Sequence, residues 1–64
     1  MTRKQKKDYA AQLLSLQRKI LSAKKQDEAR IYEITIENLT AQILEEGGSI
    51  EDLIAIDEMV QKKI

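Results

Sequence analysis

The sequence predicts an all-α fold, an antiparallel helical hairpin followed by a short third helix, on three observations. An apolar stripe occurs twice, with the segments YAAQLLSLQRKIL and YEITIENLTAQIL offset by 23 residues. Proline is absent, so nothing of that kind interrupts the first 46 residues. The only two glycines stand together as Gly47-Gly48.

In the first stripe Tyr9, Leu13, Leu16, Ile20 and Leu21 follow the four-three-four spacing of one helix face, and Tyr32, Ile36, Leu39, Ile43 and Leu44 repeat it. At about 100° per residue, a 23-residue offset turns the second stripe by about 140° on an unbroken helix. One long helix over residues 1–46, assembled as a coiled coil, would therefore present two stripes on nearly opposite sides. A bend lets each stripe bury the other. Folding about residue 26 pairs Tyr9 with Ile43, Leu13 with Leu39, Leu16 with Ile36 and Ile20 with Tyr32, and brings Ala23 opposite Ala29 near the turn. Four apolar layers align without adjustment. Shared packing demands explain the repeat as readily as duplication of a helix.

The first helix is expected over about 3–25, with Thr2 as N-cap and Gln5 completing a capping box. The second is expected over about 27–46, with Asp27 as N-cap and Gly47 as the left-handed residue that ends it. Ser49-Ile50-Glu51-Asp52 restarts the chain as an S-x-x-D cap, and the third helix is expected over about 50–63. Its apolar arc is Ile50, Leu53, Ile56, Val60 and Ile64, with Asp57 inside it. That arc is expected to enter a groove formed by Ala10, Leu14, Leu21 and Leu44. The opposite groove, with Asp8, Gln12, Lys19, Thr35 and Gln42, stays polar. The whole chain, 1–64, reads as a single helical domain.

Composition narrows the function. Apolar residues make up 42% of the chain and are almost wholly aliphatic, while cysteine and histidine are absent. Disulfides, thiolate metal sites and the usual general base are thereby removed. Glu33 and Glu37 lie four apart but off the apolar stripe, and a carboxylate-bridged metal site in a bundle also needs histidines. No nucleophile–base pair, glycine-rich phosphate loop or metal-spaced cluster occurs. No catalytic, cofactor-binding or metal-ligating residue is therefore expected, no small-molecule substrate is expected, and the chain reads as a non-enzyme. No apolar run approaches the ~18 residues of a membrane span, and no signal-peptide core is present, so a cytoplasmic location without membrane contact is expected.

The formal charge is zero. It conceals a balance of +7 over residues 1–25 and −7 over residues 26–64. In the hairpin, Arg3, Lys6 or Lys7 is expected to offset Glu45 and Glu46 at the open end, where both helix ends oppose their own dipoles. Two surfaces outside the core remain for function. Ile31, Ile34, Ile54 and Met59 fall off the apolar stripes and predict a protein-binding surface, for another protein or for a second copy in a homodimer. Lys4, Lys7, Arg18 and Lys25 fall opposite the first stripe and offer the alternative, a basic face for nucleic acid. That alternative lacks interleaved aromatic residues and a helix-turn-helix spacing. Tyr9 and Tyr32 are read as core residues whose hydroxyls reach water. The sequence thus predicts a small adaptor or regulatory module that acts by binding.

Overall fold

The computed structural model describes residues 1–63, and Ile64, assigned above to the third helix's apolar arc, lies outside the described residues. Three helices follow one another, α1 (Arg3–Ser22), α2 (Gln26–Glu45) and α3 (Ile50–Gln61). The chain is a three-helix bundle with no strand among the described residues. The hairpin of α1 and α2 is as the repeated stripe predicts, and a single helix over residues 1–46 is ruled out.

The start of α1 is the predicted capping box. The Gln5 N–H donates to Thr2 Oγ1 at 3.2 Å, and the Thr2 N–H donates to Gln5 Oε1 at 2.9 Å. The helix ends at Ser22, two or three residues before the expected stop. Ser22 Oγ donates to the Lys19 carbonyl and the Ala23 N–H donates to the Ile20 carbonyl, so the last turn tightens and closes. Ala23 and Lys25 are both extended, and the connection is correspondingly short. Asp27 is not the N-cap of α2. Lys25 holds that position with no side-chain bond to the helix, while Asp27 and Glu28 lie in the first turn and favour the dipole.

Gly47-Gly48 ends α2 as predicted. Gly47 has φ +90°, the Gly48 N–H donates to the Ile43 carbonyl at 2.9 Å, and the Gly47 N–H donates to the Leu44 carbonyl at 3.2 Å. These two bonds form a Schellman motif. A Cβ on Gly48 would lie 2.7 Å from both the Ile43 carbonyl oxygen and Ile43 Cγ2. The chain therefore turns directly against Ile43 and enters α3 through Ser49. Ser49 Oγ accepts from the Asp52 N–H and Asp52 Oδ2 accepts from the Ser49 N–H, a second capping box. The helix ends at Gln61, two residues short of the expected end, with Lys62 as the C-cap.

Tyr9, Ala10, Leu13, Ile43, Ile56 and Val60 form the buried core, with Met1, Leu14, Ile36, Leu39, Leu53 and Met59 packed against it. The core sits at the open end of the hairpin. Leu16, Ile20 and Tyr32, nearer the 23–25 connection, are only half-buried. Helix lengths explain this. At about 1.5 Å per residue, α3 spans about 18 Å against about 30 Å for α1 and α2. Asp52 meets Lys6 near the start of α1, and Gln61 shares a groove with Gln17, Ile20 and Leu21. The third helix thus runs in the same direction as α1 and packs chiefly on it.

The expected docking groove is met only in part. Ala10 is buried and Leu14 packs against the core, but Leu21 and Leu44 are exposed. Ile50, expected inside the buried arc, is also exposed. Leu21 lies close to where α3 ends, and Leu44 lies on the flank of α2, which α3 hardly touches. The opposite side is polar as predicted, with Asp8, Gln12, Lys19, Thr35 and Gln42 all exposed.

Two measurements check these local causes. Gly47→Ala should lower unfolding stability in urea by ~1–2 kcal/mol, the cost of a left-handed conformation for a residue with a Cβ. Gly48→Ala should cost more, because its Cβ meets a backbone oxygen that cannot move aside. Conversely, Lys25→Asp should supply the missing cap on α2 and raise stability by ~1 kcal/mol in the same titration.

Candidate interaction surfaces

Six large aliphatic side chains, Leu21, Ile31, Ile34, Leu44, Ile50 and Ile54, keep 47% to 74% of their surface exposed. Among the described residues six form the buried core, so the uncovered set is as large as the covered one. Ile31 and Ile34 project from the outer side of α2, and Ile34 lies nearly opposite the core stripe. The neighbouring hydroxyls do not make that side more polar. Thr35 Oγ1 donates to the Ile31 carbonyl and Thr40 Oγ1 to the Ile36 carbonyl, both at 3.0 Å.

On α3, Ile50 and Ile54 share a row with Asp57 and Gln61 at helical spacing. Gln61 borders the groove with Gln17, Ile20, Leu21 and Ile36, so this row is turned toward the α2 side of the bundle. Ile54 therefore occupies the exposed position predicted for it. Met59 does not. It is half-buried and packs on the core, on the other side of α3. Leu21, Leu44 and Ile50 join the exposed set instead. Length accounts for Leu21, since a helix ending near residue 61 cannot cover the full face of a 20-residue neighbour; Leu44 lies on the flank of α2 that α3 hardly touches, and Ile50 stands at the first position of α3.

The basic residues divide in the same way. Lys4, Lys7 and Arg18 are exposed on α1, whereas Lys25 caps α2 and is not part of that face. Lys6 is half-buried, with Nζ 3.8 Å from Asp52 Oδ1, and the Met1 amine lies 3.5 Å from Asp52 Oδ2. The expected pairing of Arg3, Lys6 or Lys7 with Glu45 and Glu46 does not form among the described residues. Glu46 instead accepts the Tyr9 hydroxyl and, at 3.5 Å, the Gln42 amide. That bond holds the Tyr9 phenol above its ordinary pKa, with burial and the negative charge of Glu46 acting in the same direction. The hydroxyl of Tyr9 is thus committed within the bundle. Tyr32 is half-buried, with Lys19 Nζ 5.8 Å from its ring centroid.

Lys7 also belongs to a feature that the spacing of one helix cannot reveal. With Arg3 it forms one side of a groove between α1 and α3, and Lys62 and Lys63 form the other. Among the described residues no carboxylate lines this groove. Among the described residues no cluster of His, Cys, Asp and Glu is arranged to hold a metal ion, and no helix is long and apolar enough to cross a membrane. No protein-family model, curated protein or solved structure matches the chain.

Asp52 makes the one ionic tie between the start of α3 and the start of α1. The Ser49 backbone N–H is the largest cause that holds its carboxyl below the usual range, and the nearby N-terminal amine and Ser49 hydroxyl act in the same sense. A depressed folded-state pKa contributes stability that is present above the unfolded value and lost as pH falls through the folded one. Melting temperature should therefore fall in the acid range below the ordinary aspartate pKa. Asp52→Asn should lower it at neutral pH and remove that part of the acid dependence, as followed by circular dichroism melts across pH.

Proposed function

We propose that this chain is a non-catalytic protein-interaction module, of the adaptor or regulatory kind, that binds through the aliphatic side chains of α2 and α3. One observation carries the reading. Six large aliphatics remain in water on a 64-residue chain, and two rows of them, Ile31 with Ile34 and Ile50 with Ile54, lie at helical spacing. A domain this small buries too little apolar surface to leave such groups uncovered without a partner. The partner is another protein or a second copy of the chain, and helix-to-helix packing is the contact mode that the spacing supports.

The nucleic-acid alternative has weaker support. Lys4 and Arg18 are 14 residues apart, about 21 Å along the helix axis, and Lys25 lies outside α1. No aromatic side chain stands beside them for base stacking.

Sedimentation velocity over a wide concentration range, with chemical cross-linking in the source cells, tests the proposal. The wild type should show a concentration-dependent dimer or a discrete cross-linked partner. Ile34→Glu with Ile54→Glu should abolish it while leaving helix content and melting temperature unchanged, because both side chains are already in water. A wild type that is monomeric and uncross-linked, or an unchanged profile in the double variant, overturns the reading.

A further inference from the structure

The groove between α1 and α3 lies away from the aliphatic rows of α2, and its chemistry differs from theirs. Its volume is about 490 Å³. Arg3, Lys7, Lys62 and Lys63 stand around it, and its floor is Ala10, Leu14 and Met59. The cations come from both ends of the sequence, and because α3 runs parallel to α1, Arg3 and Lys7 stand towards one end of the groove and Lys62 and Lys63 towards the other. Asp52, the acid that α3 presents to α1, is already engaged by Lys6 and the Met1 amine. The four groove cations make no ion pair among the described residues.

We infer that this groove is a docking site for an acidic amphipathic helix of a partner protein. Two neighbouring helices with a trough between them leave the place of a further helix open. Ala10, and Ala11 beside it, end at Cβ, so an incoming backbone can approach closely over an apolar floor. Along α1 the apolar floor from Ala10 to Leu14 extends about 6 Å, one helical turn, with Met59 of α3 beside it, enough for anchors at i and i+3 or i+4. Carboxylates before and after those anchors meet the cations at the two ends of the groove. The same geometry disfavours a phosphate backbone. The floor is apolar where bases would need polar edges or rings, Tyr9 is buried, and Tyr32 does not line the groove. Docking of a second copy's α2 would be a head-to-tail contact, which the test below separates by its effect on self-association.

The inference is independent of the aliphatic surface of α2, and a titration of the full chain separates the two. The probe is a synthetic peptide of about five helical turns (~18 residues) with a Leu/Ala stripe flanked by glutamates. A scrambled peptide of the same composition and a short duplex DNA serve as comparators. At about 50 mM salt the amphipathic peptide should bind and gain helix signal, with the scrambled peptide about tenfold weaker or more. Lys7→Glu with Lys62→Glu should weaken it by a similar factor, and Ile34→Glu with Ile54→Glu should leave it unchanged. Both pairs of side chains are exposed, and a circular dichroism spectrum of each variant checks that the fold is retained. Four results overturn the inference: no binding, equal binding of the scrambled peptide, duplex DNA that displaces the peptide from the wild type but not from the cation variant, or self-association that the cation variant abolishes.

Discussion

Ile43 has no accessible surface, and the three helices meet around it. Its side chain belongs to the second apolar stripe and packs in one cluster with Tyr9 and Leu13 of α1 and with Ile56 and Val60 of α3. Its carbonyl oxygen accepts the Gly48 N–H that closes α2. The same residue therefore anchors the hairpin and sets the point from which the chain departs. Gly48 has to be glycine because the turn is made in contact with Ile43, and Gly47 takes the positive φ that reverses the chain. A fully buried isoleucine contributes roughly 1.5–3 kcal/mol, a large share of what a domain this size can hold.

From that anchor the distribution of buried and exposed surface follows. The third helix starts beside the N-terminus of α1, and its 12 residues cannot reach the 23–25 connection. The core is accordingly concentrated at one end, and Leu16, Ile20 and Tyr32 are covered by only two helices. The uncovered aliphatics of α2 and α3 have a different origin: Ile31, Ile34 and Ile54 lie off the stripes that the bundle buries, and Leu44 lies on a flank of α2 that α3 hardly touches. A partner helix is the economical way to cover them, and the interaction role proposed above rests on that deficit.

The charge asymmetry is resolved by the same packing. Part of the +7 of the first 25 residues is engaged within the fold, since Lys6 meets Asp52 at the start of α3. Glu46, at the unfavourable negative end of α2, is stabilised by the Tyr9 hydroxyl and not by a cation. A neutral donor from the core therefore does the work expected of a surface lysine. Of what remains, Arg3 and Lys7 line the α1–α3 groove together with Lys62 and Lys63 from the other end of the chain, while Lys4 and Arg18 stay exposed elsewhere on α1.

Periodicity, capping signals and the paired glycines are local properties, and the sequence by itself determines what depends on them. These are three helices, a hairpin of the first two, two capping boxes at Thr2 and Ser49, and the left-handed residue at Gly47. The exposure of Ile31, Ile34 and Ile54 is legible for the same reason, since each lies off its own helix's stripe. Only the tertiary structure decides what depends on the direction and reach of α3. It packs Met59 half-buried against the core, leaves Leu21, Leu44 and Ile50 in water, sends Lys6 to Asp52, and lines one groove with cations from both ends of the sequence. A stripe tells a helix which face to bury, but where its neighbour stops is set by the turn against Ile43 and by a length difference of eight residues between α1 and α3.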